Sequence, residues 1–303
     1  MPSRPGKKSS NGSAAAPTQG GLTVTFWGVR GSVATPGPDT ALVGGNTSCV
    51  QVTCSDGTQI VLDCGTGIRP LGVQHMKERP EAPVSIIVTH HHWDHIEGLR
   101  FYTPLFVPGF RVDLYPIPAP AGEPQWHPLK QFNGTTFPLT ESQLLGKIDV
   151  KPERAQKFRI GPATISRIKL NHPGGAQGIK VEENGVSVCY MTDDELNPPY
   201  PRASSVKDIA AFVRDTDLLI HDAQYVPEDY PAKHGWGHSL VSEVLELAHA
   251  SHAKRLALFH HDPSRTDAQV AKLEKEAQTR LKERGFKGEV TAAREGVTVT
   301  LKK

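Results

Sequence analysis

Four short apolar runs in this chain, "VSIIVT", "ATISRIKL", "VSVCYM" and "RLALF", are each followed within two residues by a histidine or an aspartate: His90, His172, Asp193 and His260. Runs of this length, rich in β-branched residues and bounded by Gly, Pro and Asp, read as strands. Open α/β sheets place their sites just past the carboxyl ends of their strands, so these four residues should emerge at one edge. The fold must therefore assemble central strands side by side and leave a polar cluster at their ends.

Other strands follow from the same patterns. "LTVTF" alternates apolar and polar residues, "TSCVQVT" and "QIVLD" come next, and "GIKVE", "LLIH" and a last "VTVTL" appear later. Helical spacing predicts a helix from Thr266 to Arg284, with Val270, Leu273, Ala277 and Leu281 on one face and Thr266 or Asp267 as cap. A second runs from about Ser239 to Ala250, with Leu240, Val241, Val244, Leu245 and Leu247 on its apolar side. Two strand-rich halves with helices outside them predict an α+β fold, a four-layered αββα sandwich, over residues 21–303. Residues 1–20 are rich in Ser, Gly, Pro and Ala, hold no large apolar side chain, and should form a disordered tail. Between residues 101 and 153 the pattern loosens into proline and aromatic residues, a lid-like excursion or pocket wall with Trp126, His127 and Phe132 as candidate contacts.

Composition narrows the partners. The formal charge of the 303 residues is +2, but Arg4, Lys7 and Lys8 in the first twenty have no acid beside them, and the remainder holds 31 basic against 32 acidic residues. Such a surface is a poor match for a long nucleic acid, whose affinity rests on neutralised phosphates, and favours a small-molecule substrate. No apolar run approaches the roughly 20 residues of a membrane span, and the N-terminus lacks the apolar core of a signal peptide, so no membrane and a cytoplasmic setting are expected. Cys49, Cys54, Cys64 and Cys189 show no CxxC spacing and read as buried free thiols.

The loop after "VSIIVT" is "HHHWDH", residues 90–95. His90 and His92, two apart, can point the same way from an extended backbone, while Asp94 and His95 turn to a second position. Imidazole with carboxylate suits zinc and also manganese or iron. With His172, Asp193 and His260 arriving from other strand ends, the set reads as a metal centre.

The motifs "FWGVRGSVATPGP", "GGNTSCV", "LDCGTG", "THHHWDHIEGL", "NHPGG", "YMTDDE" and "LFHHDP" resemble the metallo-β-lactamase fold superfamily. Within it they are most similar to the phosphodiesterase branch of ribonuclease Z, phosphoribosyl cyclic phosphodiesterases and bacterial cyclic-nucleotide phosphodiesterases. The resemblance covers about residues 22–301. It implies two divalent ions, Zn2+ first and Mn2+ or Fe2+ as alternatives: one held by His90, His92 and His172, one by Asp94, His95 and His260, with Asp193 bridging. Asp193 and His260 are preferred over the adjacent Asp194 and His261 because each directly continues its strand. Asp63 would orient a ligand from behind. The resemblance also gives His238, in "GHSL", the role of protonating the leaving oxygen beside the substrate phosphate, with Asp222 of "LLIHDAQY" as its partner, although Leu240 replaces the family's usual threonine. It further implies a homodimer.

Paired ions lower the pKa of a shared water and stabilise charge in an in-line displacement, which predicts a binuclear phosphodiesterase using a bridging hydroxide, with Asp94, His238 and Asp222 as its catalytic residues. The first-choice substrate is a small cyclic phosphodiester, a 3′,5′-cyclic nucleotide such as cAMP or cGMP, with Trp126 and Phe132 stacking the base and His238 near the phosphate. The chain has no long basic arm to clamp transfer RNA. Alternatives are phosphoribosyl 1,2-cyclic phosphate, for which a cysteine-rich segment is missing, or a lactone, ester or sulfate ester on the same centre. A non-enzymatic metal-bearing scaffold is the remaining class.

Overall fold

The computed structural model describes residues 21–120 and 122–303. The expected tail at residues 1–20 lies outside the described residues. The rest forms two seven-stranded sheets. The first contains, in spatial order, β14 (Thr298–Leu301), β1 (Leu22–Gly28), β2 (Cys49–Thr53), β3 (Gln59–Leu62), β4 (Val84–Ile87), β5 (Arg111–Tyr115) and β6 (Lys147–Val150). The second contains β13 (Glu289–Ala292), β12 (Arg255–Phe259), β11 (Leu218–Asp222), β10 (Val186–Met191), β9 (Ala176–Glu183), β8 (Ala163–Leu170) and β7 (Lys157–Ile160).

Both sheets follow one plan. Strands β14, β1, β2 and β3 pair antiparallel and β3 to β6 parallel. Strands β7 to β10 pair antiparallel and β10 to β13 parallel. The sequence shows no repeat, yet the two halves share this order. Strand β14 returns to the first sheet, pairing Leu301 with Leu22 and closing the chain's end against its beginning.

Period-two alternation explains the layers. Ile60 and Leu62 of β3 and Val188 and Tyr190 of β10 share a core between the sheets with Phe26, Ile220 and Phe259. The neighbours that point the other way build two outer cores. Val61, Ile86 and Val88 pack with Ile68 and Leu71 of helix α1 (Ile68–Glu78), beside which the short α2 (Trp93–Ile96) begins at the histidine loop. Cys189, Met191, Leu219 and Leu258 meet Ile209 of α3 (Val206–Phe212), Val244 and Leu247 of α5 (Val241–Ala250) and Leu281 of α6 (Asp267–Glu283). The short α4 (Tyr230–Lys233) precedes the loop that carries His238. The expected αββα sandwich is present. Thr266 caps α6, accepting from the Gln269 N–H. The four cysteines are free and buried. Among the described residues no helix is long and apolar enough to cross a membrane.

Two features differ from the sequence reading. The excursion expected over residues 101–153 contains β5 and β6, which extend the parallel side of the first sheet. "RVDLY" and "KIDV" alternate charge with apolar residues because they lie at and beside the sheet edge, and Val112 and Leu114 still face the core. The irregular part is the segment between them, residues 116–146. Helix α1 contains Pro70 and Gly72, which obscure its periodicity; Pro70 stands in the first turn, where a missing N–H costs nothing, and Gly72 lies against the Tyr102 ring.

Candidate metal centre

The parallel strands deliver their ends to one edge. Three of the residues delivered there, Asp63 after β3, Asp193 after β10 and His260 after β12, adopt left-handed backbone angles, with φ of 60°, 56° and 58°. Asp and His tolerate this region better than most residues, but it is still uncommon, and strain of this kind concentrates at functional sites. The turn swings each side chain off its strand direction and into the space above the sandwich.

There the seven sequence-predicted ligands meet in two groups. His90, His92, His172 and Asp193 offer ligand atoms all within 4.8 Å of one another, and so do Asp94, His95, His260 and Asp193. Asp193 belongs to both through different oxygens. Its Oδ2 lies 3.5 Å from His90 Nε2 and 3.7 Å from His172 Nε2, while its Oδ1 lies 3.0 Å from His95 Nε2 and 3.2 Å from His260 Nε2. Asp94 Oδ2 closes the second group at 3.2 Å from His95 Nε2 and 3.1 Å from His260 Nε2. The neighbouring Asp194 and His261 face elsewhere: Asp194 accepts from the Asn171 N–H at 2.9 Å, and His261 Nε2 donates to the Ala293 carbonyl at 3.0 Å.

Behind the ligands, acceptors fix the ring orientations. His95 Nδ1 donates to Asp63 at 2.8 Å, His260 Nδ1 to Gln224 Oε1 at 2.8 Å, and His172 Nδ1 to the Gly237 carbonyl at 3.0 Å. His90 Nδ1 lies 3.1 Å from Thr89 Oγ1. Asp63 also accepts from the Tyr190 hydroxyl and from the Thr89 amide and hydroxyl, so it is held by four donors. With these four Nδ1 atoms committed, their Nε2 lone pairs face inward, as metal-ligating histidines require, while His92 turns Nδ1 to the centre.

This donor set fits divalent cations. His95 Nε2 and His260 Nε2 lie 3.3 Å apart, and His172 Nε2 lies 3.0 Å from His92 Nδ1. Lone pairs opposed in this way repel unless a positive charge lies between them. His90 Nε2 is buried with no hydrogen-bond partner. Tetrahedral bonds of about 2.0–2.1 Å to nitrogen place ligand atoms roughly 3.4 Å apart, which the separations above bracket. Burial, reinforced by the imidazoles of His95, His172 and His92, pushes the His90 pKa well below the usual value. Burial opposes the charge on Asp193, but His260, His95 and His90 facing it keep the carboxyl well below the usual range.

His238 stands beside this centre. Its ring stacks on His260, centroids 5.0 Å apart, and lies 5.4 Å from His172. Nδ1 donates to Asp222 Oδ2 at 2.6 Å. Burial disfavours the charged ring, but the Asp222 carboxylate outweighs it and pushes the pKa up to about 9. His238 does not cap α5; Leu240 holds that position, and no side chain caps it. His221 is turned away, with Nδ1 donating to the Asp222 carbonyl and Nε2 3.6 Å from Asp194.

The two expected aromatic contacts separate. Trp126 is partly exposed and packs on His91, ring centroids 4.4 Å apart. Phe132 is 3% exposed, lies in the outer core of the first sheet and packs edge-on against Phe106 and Phe137. Its role as a substrate contact is corrected: a ring committed to the core has no free face for a base.

Several supporting residues carry no sequence signal of their own. The Ser32 N–H, on a loop with φ of 62°, donates to Asp94 Oδ2 at 2.8 Å, and Gln224 Nε2 donates to the Ser32 hydroxyl at 3.3 Å. Glu195, fully buried, accepts from the Gly235 N–H at 2.8 Å and the Gly237 N–H at 2.9 Å. That clamp shapes the turn before His238. Gly237, at φ +93°, lies so close to His172 that a Cβ would strike the ring.

A family model described as a beta-lactamase superfamily domain matches residues 58–261. The ribonuclease Z of Halorubrum lacusprofundi is 26% identical over 85% of this chain and 91% of its own length. Among solved structures, the metallo-beta-lactamase fold protein YhfI of Bacillus subtilis is 22% identical with a TM-score of 0.65, covering 93% of this chain and 100% of its own. The short form of human tRNase Z is 23% identical with a TM-score of 0.61, covering 91% of this chain and 98% of its own.

Proposed function

This chain belongs to the beta-lactamase superfamily, and from that premise we propose that it is a metal-dependent phosphodiester hydrolase. One observation carries the reading: two ligand trios share the two oxygens of Asp193, and a histidine–aspartate pair, His238 and Asp222, stands against them. Residues His90, His92 and His172 would hold one ion, and Asp94, His95 and His260 the other. Divalent cations bound there would supply an activated water and neutralise charge on the phosphoryl oxygens. Zn2+ is the first choice for a set dominated by imidazole, with Mn2+ or Fe2+ as alternatives.

The protein's own groups divide the remaining work. Asp193 and Asp94 contribute negative charge that balances the cations. Asp63, Gln224 and the Gly237 carbonyl keep the ligand rings aimed. Asp222 fixes the tautomer of His238 by accepting from Nδ1, so the opposite Nε2 is the atom that gives a proton to the departing oxygen.

The substrate we propose is a small cyclic phosphodiester, a 3′,5′-cyclic nucleotide in the first instance. The near-neutral charge outside residues 1–20 supports a small substrate. A second reading, an RNA phosphodiester, is favoured by the curated relatives that carry the name ribonuclease Z. Hydrolysis of 3′,5′-cAMP, 3′,5′-cGMP, 2′,3′-cyclic nucleotides, a short RNA, bis-p-nitrophenyl phosphate, a lactone and an aryl sulfate, with bound metal quantified, tests both. Turnover of a cyclic nucleotide is the expected result. Turnover of the RNA alone would move the substrate to the second reading, and turnover of only the lactone or the sulfate would overturn the phosphodiesterase assignment.

A further inference from the structure

The segment between β5 and β6 brings two side chains, Trp126 and His127, to the histidine loop, where a third, His91, meets them; the proposed chemistry uses none of the three. His91 lies in the chain between His90 and His92, and its ring packs on the Trp126 indole. His127 is 9% exposed. The buried Nε2 of His91 and Nδ1 of His127 have no hydrogen-bond partner among the described residues. Buried polar atoms in proteins are nearly always paired, so two unpaired ring nitrogens beside one exposed indole call for a ligand.

An unprotonated imidazole keeps one donor and one acceptor. The edge of a purine or pyrimidine presents the matching groups, and its face suits an indole.

The wall is held in place. Gln125 Nε2 donates to the Ile117 carbonyl at 2.9 Å and to the Trp126 carbonyl at 2.7 Å, and its Oε1 accepts from the Ala119 N–H at 2.9 Å. Further on, Gln131 Nε2 donates to the Ile96 carbonyl at 3.0 Å, tying the segment to α2 and the histidine loop. Trp126 thus keeps a partly exposed face at a fixed place beside the ligands.

We infer that His91, Trp126 and His127 form a nucleobase subsite next to the metal centre, the indole stacking on the base and the two ring nitrogens bonding its edge. The inference rests on the phosphodiesterase reading for its substrate and narrows it to diesters that carry a base. It sets aside ribosyl phosphates without one.

Binding separates the subsite from catalysis. Calorimetry of the metal-loaded protein with AMP, UMP and ribose 5-phosphate should show the nucleotides binding at least ~10-fold more tightly than the sugar phosphate, within what one stacked base contributes. Trp126→Ala and His127→Ala should each remove most of that preference, and Trp126→Phe, which keeps a stacking face, should restore much of it. Equal binding of AMP and ribose 5-phosphate by the unaltered protein would overturn the subsite, as would an unchanged preference in both variants. If the preference follows Trp126 and His127 while no diester is hydrolysed, the subsite stands and the phosphodiesterase reading falls.

Discussion

The two halves of the candidate metal centre share Asp193 and differ in nearly everything else. Around Oδ2 stand three imidazoles, of which His92 is exposed. Around Oδ1 stand His95, His260 and a second carboxylate, Asp94, all buried. Their support differs too, since Asp63 and Gln224 back the second trio, whereas a main-chain carbonyl on the Gly237 turn backs His172. A site with two carboxylates and little solvent attracts a dication more strongly than one with a single shared carboxylate and an open side. The buried half should therefore keep its ion when the exposed half loses its own, and carboxylate content should make it the more tolerant of Mn2+ or Fe2+.

The largest effect is expected from Asp193→Asn. It removes charge from both halves, leaves the exposed one with neutral ligands only, and should lower turnover by ~1,000-fold or more, the several kcal/mol that a catalytic cation contributes to transition-state charge. Elemental analysis should then find about one ion per chain, against about two expected for the unaltered protein. Retention of both ions would show that Asp193 does not bridge.

His238→Ala tests the boundary of the centre rather than either half. Removal of a positioned proton donor costs at least ~100-fold in kcat, and metal content should stay as it was. Substrates with a better leaving group, such as a p-nitrophenyl ester, should lose less, because their departing oxygen needs no proton. Equal losses on both kinds of substrate would remove His238 from its proposed role.

Asp63→Asn distinguishes the halves directly. His95 would lose the carboxylate that orients its ring, while the exposed trio would keep its supports. Metal affinity of the buried half should fall by about 10- to 100-fold, the usual cost of such a change, with the exposed half little altered. Stepwise metal titration reads this as two binding steps drawing together. A uniform drop in both steps would point to general damage at β3 instead.

The positions of the candidate ligands were readable in the sequence for a simple reason: each lies past an apolar run that commits its strand to the core, so its place near a strand end was fixed before any packing was known. Asp193 and His260 were expected in preference to Asp194 and His261 on the same ground, and the left-handed backbone falls on both, at the second residue past β10 and the first past β12. Support from Gln224 and Glu195 was hidden. Each reaches a partner 36 to 42 residues away, and only the approach of β11 and the α4–α5 loop to the strand ends brings them there. Trp126 and Phe132 show a second limit. They sit six residues apart in the same irregular segment, and nothing in the local pattern says which ring the core will take. The answer lay in Phe106 and Phe137, which surround one and leave the other outside.

The smallest effect, and the finest test of the asymmetry, is Glu195→Gln. Glutamine keeps one oxygen for a glycine N–H but turns an amide NH2 toward the other, a donor facing a donor. The Gly235–Gly237 turn should loosen, and with it the carbonyl that aims His172. Metal affinity of the exposed half should weaken by ~10-fold, at the low end for a supporting residue, while the buried half is unaffected. The same turn carries His238, so kcat at saturating metal should fall by a few-fold as well. If metal binding is unchanged and only kcat falls, the turn serves His238 alone, and His172 is held well enough by its own strand.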